Sequence, residues 1–385
     1  MPRIKLLPML ALAFMSLTAW SHGSEAAGAV SLADVVNVQK YFRAIHVMAM
    51  LLVGFGFLMV FVKKYGRSAA TATYLLVSVA IPLYFLKDSL GIMGGVELDI
   101  DRLILAEFSA AGLLICAGAV LGRLKLFQYM LLAILFVPCY SLNEWILLEG
   151  GLGLIEHGAL VDTGGSIVIH AFGALFGLGS IFSLTSKKEF ETPIEADATS
   201  DRFSLLGSMV LWIFWPSFCA ALVEPSAILG TVVNVILALC GSTLATYFVS
   251  LALRKKVSVA DIANATLAGG VAIGSTCDRT VPAIAFAIGI GAGAISTFGF
   301  AVIQDKLQNL IKKTDTCGVL HLHGLPGLFG GLVALFVVKG IDVGAQLSGI
   351  GITIVLAILT GLVAGKLLSF AGSRITPYDD EEELD

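Results

Sequence analysis

Charge is scarce in this chain: only 14% of its 385 residues are Asp, Glu, Lys or Arg. A soluble globular domain carries about a quarter, so the scarcity excludes an ordinary soluble enzyme and a disordered segment alike. Basic and acidic residues nearly cancel, at 24 against 28. That gives a polyanion no footprint and removes nucleic acid as a partner. Clustered cysteines are missing too. Cys116, Cys139, Cys219, Cys240, Cys277 and Cys317 are scattered, with no C-x-x-C pair. This argues against a disulfide framework or a zinc site, and the six read as small apolar fillers. No metal and no cofactor is expected.

What fills the chain is apolar length. Hydrophobic residues make up 57% of it, and the mean hydropathy is +0.92. A helix needs roughly 20 apolar residues to cross a bilayer, so the length allows about a dozen crossings in one multi-pass domain. The first residues, MPRIKLLPMLALAFMSLTAWSHGSEAAGAV, place Arg3 and Lys5 before a short apolar run and then small and polar residues. This is the layout of a secretory signal peptide, 1–26, cleaved between Ala19 and Ala27; the alternative is an uncleaved first span. The membrane domain then covers 27–372, and an acidic tail, ending in DDEEELD, covers 373–385.

Eleven apolar stretches follow the signal: 42–62, 69–86, 103–122, 126–148, 164–184, 204–224, 226–252, 259–276, 280–303, 318–338 and 345–370. Lysine and arginine favour the cytoplasmic side of a membrane. Odd-numbered loops hold most of them, including Lys63, Lys64, Arg67, Arg123, Lys187, Lys188, Arg254, Lys306 and Lys312. Even-numbered loops hold only Lys87, Arg102, Arg279 and Lys339. The expected protein is therefore all-α and sits in the cell membrane, with its mature N-terminus outside and its acidic tail in the cytoplasm. The segment 304–314 alternates polar and apolar residues and reads as a connector or a short interfacial helix.

Two segments repeat. DTGGSIVIHAFGALFG at 162–177 and DTCGVLHLHGLPGLFG at 315–330 align without gaps on Asp, Thr, Gly, His, Leu, Phe and Gly. One opens span five from the outside and the other opens span ten from the inside. The chain thus reads as two inverted five-helix repeats plus a final helix, a plan common among transporters. Eight helical residues rise about 12 Å, close to half of a hydrocarbon core of about 30 Å. His170 and His323 are expected to meet near the midplane. An intramembrane imidazole is costly, so it faces a cavity or a partner, or else bonds a neighbouring carbonyl. Asp162 and Asp315 stand at the first turns, where carboxylates cap free amides. His321 points some 200° around the helix from His323 and lines something else. His46 is placed near the outer end of span one.

These residues resemble the ammonium transporter superfamily, and its Rhesus-type branch in particular. The resemblance is carried by HVMAMLLVGFGFLMVF at 46–61, DTGGSIVIHAFGALFGL at 162–178, LWIFWPSF at 211–218, NATLAGGVAIG at 264–274 and DTCGVLHLHGLPGLFGGL at 315–332. It implies a homotrimer with one narrow hydrophobic pore per subunit, and transport of ammonia or ammonium, with methylammonium or CO2 as further substrates. His170 and His323 would be the twin pore histidines, Phe108 and Phe218 the stacked gate above them, and Trp215 a pore-side neighbour. Without the resemblance, the phenylalanines would read as core or lipid-facing. Leu222 stands where ammonium transporters proper carry serine, and no outer tryptophan follows span four. Both departures favour the Rhesus branch over high-affinity uptake. Glu107 either lines the vestibule or caps a helix. The rival from another class is a membrane redox protein with haem ligated by His170 and His323; a CO2 or small-gas channel of the same fold is the rival within transport. No cytoplasmic regulator can be named for the tail.

Overall fold

The computed structural model describes residues 31–192 and 194–385, so the signal peptide expected at 1–26 lies outside the described residues. The described chain falls into two compact units, one ending at Val38 and the other running from Gln39 to Asp385. In the first, Ser31 and Asp34 cap the start of a helix reciprocally: the Asp34 carboxylate accepts from the Ser31 amide at 2.8 Å, and the Ser31 hydroxyl accepts from the Asp34 amide at 3.1 Å.

The described residues contain helices and no strands. Ten helices are long and apolar enough to cross a membrane: α1 Leu32–Phe61, α2 Gly66–Ser89, α3 Asp99–Ala119, α4 Leu126–Leu148, α5 Ser166–Leu184, α6 Ala198–Cys219, α7 Ile228–Arg254, α9 Pro282–Ile311, α10 Leu320–Val337 and α11 Val343–Ser369. Between α7 and α9 lies α8, which is broken into Val259–Ala265, Ala268–Ile273 and a tight 3-10 turn Gly274–Thr276. Unbonded peptide groups cannot face hydrocarbon, so the helix is the form these apolar runs must take, and interior Pro82, Pro138 and Pro216 are tolerated within it.

The halves pack alike: α2 lies against α3 and α4, α7 lies against α8 and α9, and α11 runs along α5. Where helices cross, glycine lets backbones touch. A Cβ on Gly207 of α6 would stand 2.2 Å from the Leu58 nitrogen of α1, and one on Gly54 would stand 2.7 Å from Leu211. Gly54 and Gly207 are related by the 153-residue offset that relates the two histidines.

The structure corrects several sequence boundaries. Span one begins at Leu32, not 42, which puts His46 in the middle of α1; the polar residues of 32–45 hid the helical start. Span eight is broken, not continuous. Residues 304–311 are not a separate interfacial helix but the end of α9, reached through a wide π-helical stretch, Gly299–Ile303. The tail packs against helix starts: the Asp380 carboxylate accepts from the Arg67 and Ser68 amides of α2, at 3.0 and 2.7 Å, and Glu383 accepts from the Leu126 amide of α4 at 2.9 Å. Arg123, buried between α3 and α4, donates to the carbonyls of Arg374 and Ile375 beneath it.

Candidate functional site

The two repeated segments start their helices the same way. Asp162 is followed at the third position by Gly165 with φ +75°, and Asp315 by Gly318 with φ +65°. This left-handed turn, open to glycine without steric cost, folds each carboxylate back over the free amides of the next turn. Asp162 accepts from Ile167 at 2.9 Å, Val168 at 2.8 Å and the Ser275 hydroxyl at 2.6 Å. Asp315 accepts from Val319 and Leu320, both at 3.0 Å. Ser166 extends the first knot by donating to the Val271 carbonyl at 2.6 Å and accepting from the Ser275 amide at 2.8 Å. The break in α8 exists to meet α5 here, since Gly164 also donates to the Gly274 carbonyl at 2.7 Å.

Past each turn the helix is π-wound, over Ser166–Ala171 in α5 and Leu320–Gly324 in α10. Such wide turns concentrate at functional sites, and these hold His170 and His323. The expectation of a regular helix from each aspartate is thus corrected: the first residues form a turn and the next coil is wide. The rings meet because both halves depart from regularity in the same way. Their Nδ1 atoms lie 3.2 Å apart, and their planes are inclined by 11°.

Two facing Nδ1 atoms at hydrogen-bond distance hold one proton between them. In the uncharged pair one ring carries its proton on Nδ1 and the other on Nε2, so the pair presents an acceptor at one end and a donor at the other. Among the described residues no carboxylate bonds either ring, and the His170 Nε2 has no partner. A haem between these rings is excluded by the spacing, because nitrogens in mutual contact leave no room for a porphyrin plane.

Aromatic rings continue the stack in both directions. Phe218 lies 6.0 Å from His170 and 4.6 Å from Phe108, while Phe55 lies 6.2 Å from His323. Trp215 flanks His170 at 5.5 Å, nearly parallel to it. Beside His323 a cavity of about 20 Å³, room for one water-sized molecule, is lined by Phe55, Leu114, Asn264, Cys317 and Leu322.

Other expected site residues lie apart from this column or beside it. Glu107 is buried on α3 next to Phe108, and neither carboxyl oxygen has a partner. His321 is buried against Phe300 and Gly299 of α9, away from the cavity that His323 lines. Leu222 is 40% exposed just past the end of α6. Sequence reasoning missed Phe55, Asn264, Ser166 and Ser275. Phe55 and Asn264 lie within segments that carried the resemblance, and a polar Asn in an apolar run was the available signal. All six thiols are free.

The fold defines a multi-pass membrane protein of two inverted repeats, with a buried histidine pair within a column of aromatic rings. The sequence pattern of the Ammonium Transporter Family matches residues 6–385, and the chain belongs to that family, one of transporters and channels, not of enzymes. It is 34% identical over 365 residues to bovine (Bos taurus) ammonium transporter Rh type A, covering 91% of this chain and 84% of the relative. The mouse (Mus musculus) Rh type A protein is 37% identical over 356 residues, covering 88% and 79%. Among solved structures, Rh50 of Nitrosomonas europaea matches with a TM-score of 0.89 at 53% identity, covering 92% of this chain and 93% of that one. A sensor Amt protein matches with a TM-score of 0.75 at 18% identity, covering 90% and 96%; that likeness shows the fold alone.

Proposed function

We propose that the chain conducts ammonia through a hydrophobic pore in each subunit of a homotrimer, with Phe108 and Phe218 as the gate and His170 and His323 as the relay. The cell membrane holds it with the mature N-terminus outside and the tail inside. The observation that carries this reading is the 3.2 Å contact between the two Nδ1 atoms at the centre of an aromatic column. Taking an ammonium ion into low dielectric costs several kcal/mol even after relaxation, whereas neutral NH3 loses only its hydrogen bonds. The paired phenylalanines, their planes inclined by 50°, offer a cation about 2 kcal/mol of attraction when desolvated, enough to detain it and too little to carry it through. NH3 released by proton loss then finds, at the histidine pair, an acceptor and a donor on one line. If the abstracted proton passes along the same two rings, transport is electrogenic; if it returns to bulk, transport is neutral. Trp215 packs on the His170 ring, Leu222 and Glu107 line the approach, and His321, turned toward Phe300 of α9, lines the vestibule apart from the cavity beside His323. Asp162 and Asp315 act by holding the π-wound turns.

The test is ammonia-induced pH change in proteoliposomes, with electrical recording on the same vesicles. His170→Ala and His323→Ala each lower ammonia-driven flux by tenfold or more, the order expected from losing a positioned proton-transfer group. Equal flux in both variants and wild type would end the reading. A CO2 gradient applied to the same vesicles separates the second substrate: conduction of CO2 but not of ammonia would transfer the pore to that gas.

A further inference from the structure

Where α1 ends and α2 and α6 begin, a cavity of about 370 Å³ opens on the face that carries the tail. Phe57, Val60 and Phe203 give it an apolar wall, and Lys63, Lys64 and Arg67 stand around it. The rings of Phe57 and Phe203 stack at 5.7 Å, and Phe203 is 40% exposed. The wall therefore runs on into the outer apolar surface of the bundle.

Two acidic residues also line the cavity, and both are committed elsewhere. Asp197 accepts from the Thr199 and Ser200 amides, each at 2.9 Å, at the start of α6. Asp380 caps α2 through the Arg67 and Ser68 amides, and keeps the Arg67 guanidinium at 3.5 Å. The two lysines have weaker ties. Lys63 meets Glu195, 68% exposed, at 3.1 Å, and Lys64, 71% exposed, meets Asp379 at 3.4 Å. Ion pairs this open to water contribute little and exchange readily.

A cluster of exchangeable ammonium groups beside an apolar wall, at the membrane edge richest in lysine and arginine, has one chemical complement. We propose that this cavity binds an anionic phospholipid of the tail-side leaflet, its phosphate on Lys63 and Lys64 and an acyl chain along Phe57, Val60 and Phe203. The cytoplasmic leaflet is where anionic lipid accumulates. The phosphate displaces Glu195 and Asp379 and leaves the Asp380 cap in place. This site is separate from the histidine column and does not depend on what the column conducts.

The test titrates the full chain in detergent with dioleoylphosphatidylglycerol, dioleoylphosphatidylcholine and soluble glycerol phosphate, followed by native mass spectrometry and by the thermal midpoint. The glycerol lipid binds about tenfold more tightly than the choline lipid and raises the midpoint, and glycerol phosphate does neither. Lys63→Gln with Lys64→Gln weakens the glycerol lipid by about fivefold per lysine. Lys306→Gln with Lys312→Gln, outside the cavity, leaves its affinity unchanged. Phe203→Ser weakens both lipids, because it interrupts the apolar wall. Equal binding of the two lipids, or an unweakened Lys63/Lys64 variant, overturns the proposal. Glycerol phosphate binding as tightly as the lipid also overturns it, by making the site one for a soluble anion.

Discussion

Removing the Asp162 carboxylate is the most informative perturbation of the frame, because the repeat supplies its own control. Asp162→Ala strips the acceptor from three buried donors, the amides of Ile167 and Val168 and the hydroxyl of Ser275. Each buried donor left without an acceptor costs about 1–3 kcal/mol, which gives roughly 3 kcal/mol at the least and roughly 9 at the most. Asp315→Ala strips only two, the amides of Val319 and Leu320, for roughly 2–6 kcal/mol on the same scale. At about 2 °C per kcal/mol for a large chain, the apparent melting midpoint in detergent falls by roughly 6 °C or more for Asp162→Ala. For Asp315→Ala it falls by roughly 4 °C or more. Asp162→Asn keeps one oxygen near the amides but turns an amino group on Ile167 or Ser275, so it falls between wild type and alanine. Intrinsic fluorescence on heating reads all four proteins, and ammonia flux falls in step because the π-wound turn that aims His170 is lost. An Asp162→Ala midpoint within about 2 °C of wild type would refute the reasoning. So would a larger loss for Asp315→Ala.

The helix contacts and the tail make three further predictions. Gly289→Ala places a Cβ 2.0 Å from the Ala238 carbonyl and forces α7 from α9, whereas Gly351→Ala meets nothing within 4 Å. The first lowers the midpoint by the equivalent of about 2 kcal/mol or more and the second by less than about 0.5. Asp380→Ala frees the Arg67 and Ser68 amides, costing about 1 kcal/mol as for any lost helix cap; hydrogen exchange at 66–70 quickens while the histidine column is untouched. Glu189 lies below its ordinary value of 4.5: burial pushes it up, but hydrogen bonds from the Ser186 hydroxyl and amide and from Ser373 outweigh that. A depressed carboxylate stabilises fully above 4.5, and its contribution is lost as pH falls through the lower, folded value. Exchange at 186–190 and 372–374 therefore rises only on acidification below 4.5, and Glu189→Gln abolishes that dependence.

The spans were legible because hydrocarbon thickness sets one length that every crossing must meet, and the histidine pair was legible because the repeat preserved its spacing from each aspartate. Phe108 and Phe218 stood out only through family resemblance; in an apolar chain, a phenylalanine beside the histidine column and any other core phenylalanine carry the same pattern. The π-wound turns left no trace, since i→i+5 winding has no residue signature beyond the glycine before it. The broken α8 hid in NATLAGGVAIG, whose apolar run reads as continuous until Gly274 is seen bonding Gly164. The start of α1 was masked by the mixed polarity of 32–45. The docking of Asp380 and Glu383 was not readable either, because an acidic run looks solvated until helix amides are found beneath it.

The proton sharing proposed for this site draws on the two-fold plan of the chain. A proton between two nitrogens moves easily only if the two ends have nearly equal affinity for it, and an unrelated pair of histidines would seldom be matched so closely. Here the two halves place their rings in matching frames. Each ring follows an aspartate by eight residues, each sits in a π-wound turn after a left-handed glycine, and each has a phenylalanine near 6 Å on its far side. What differs between the halves lies outside this frame. Two phenylalanines in contact, their planes inclined by 50°, stand beyond His170, while one phenylalanine and a small cavity with Asn264 on its wall stand beyond His323. On the proposed function, the symmetric residues would set up the relay, and the unequal ends would make its two approaches chemically different.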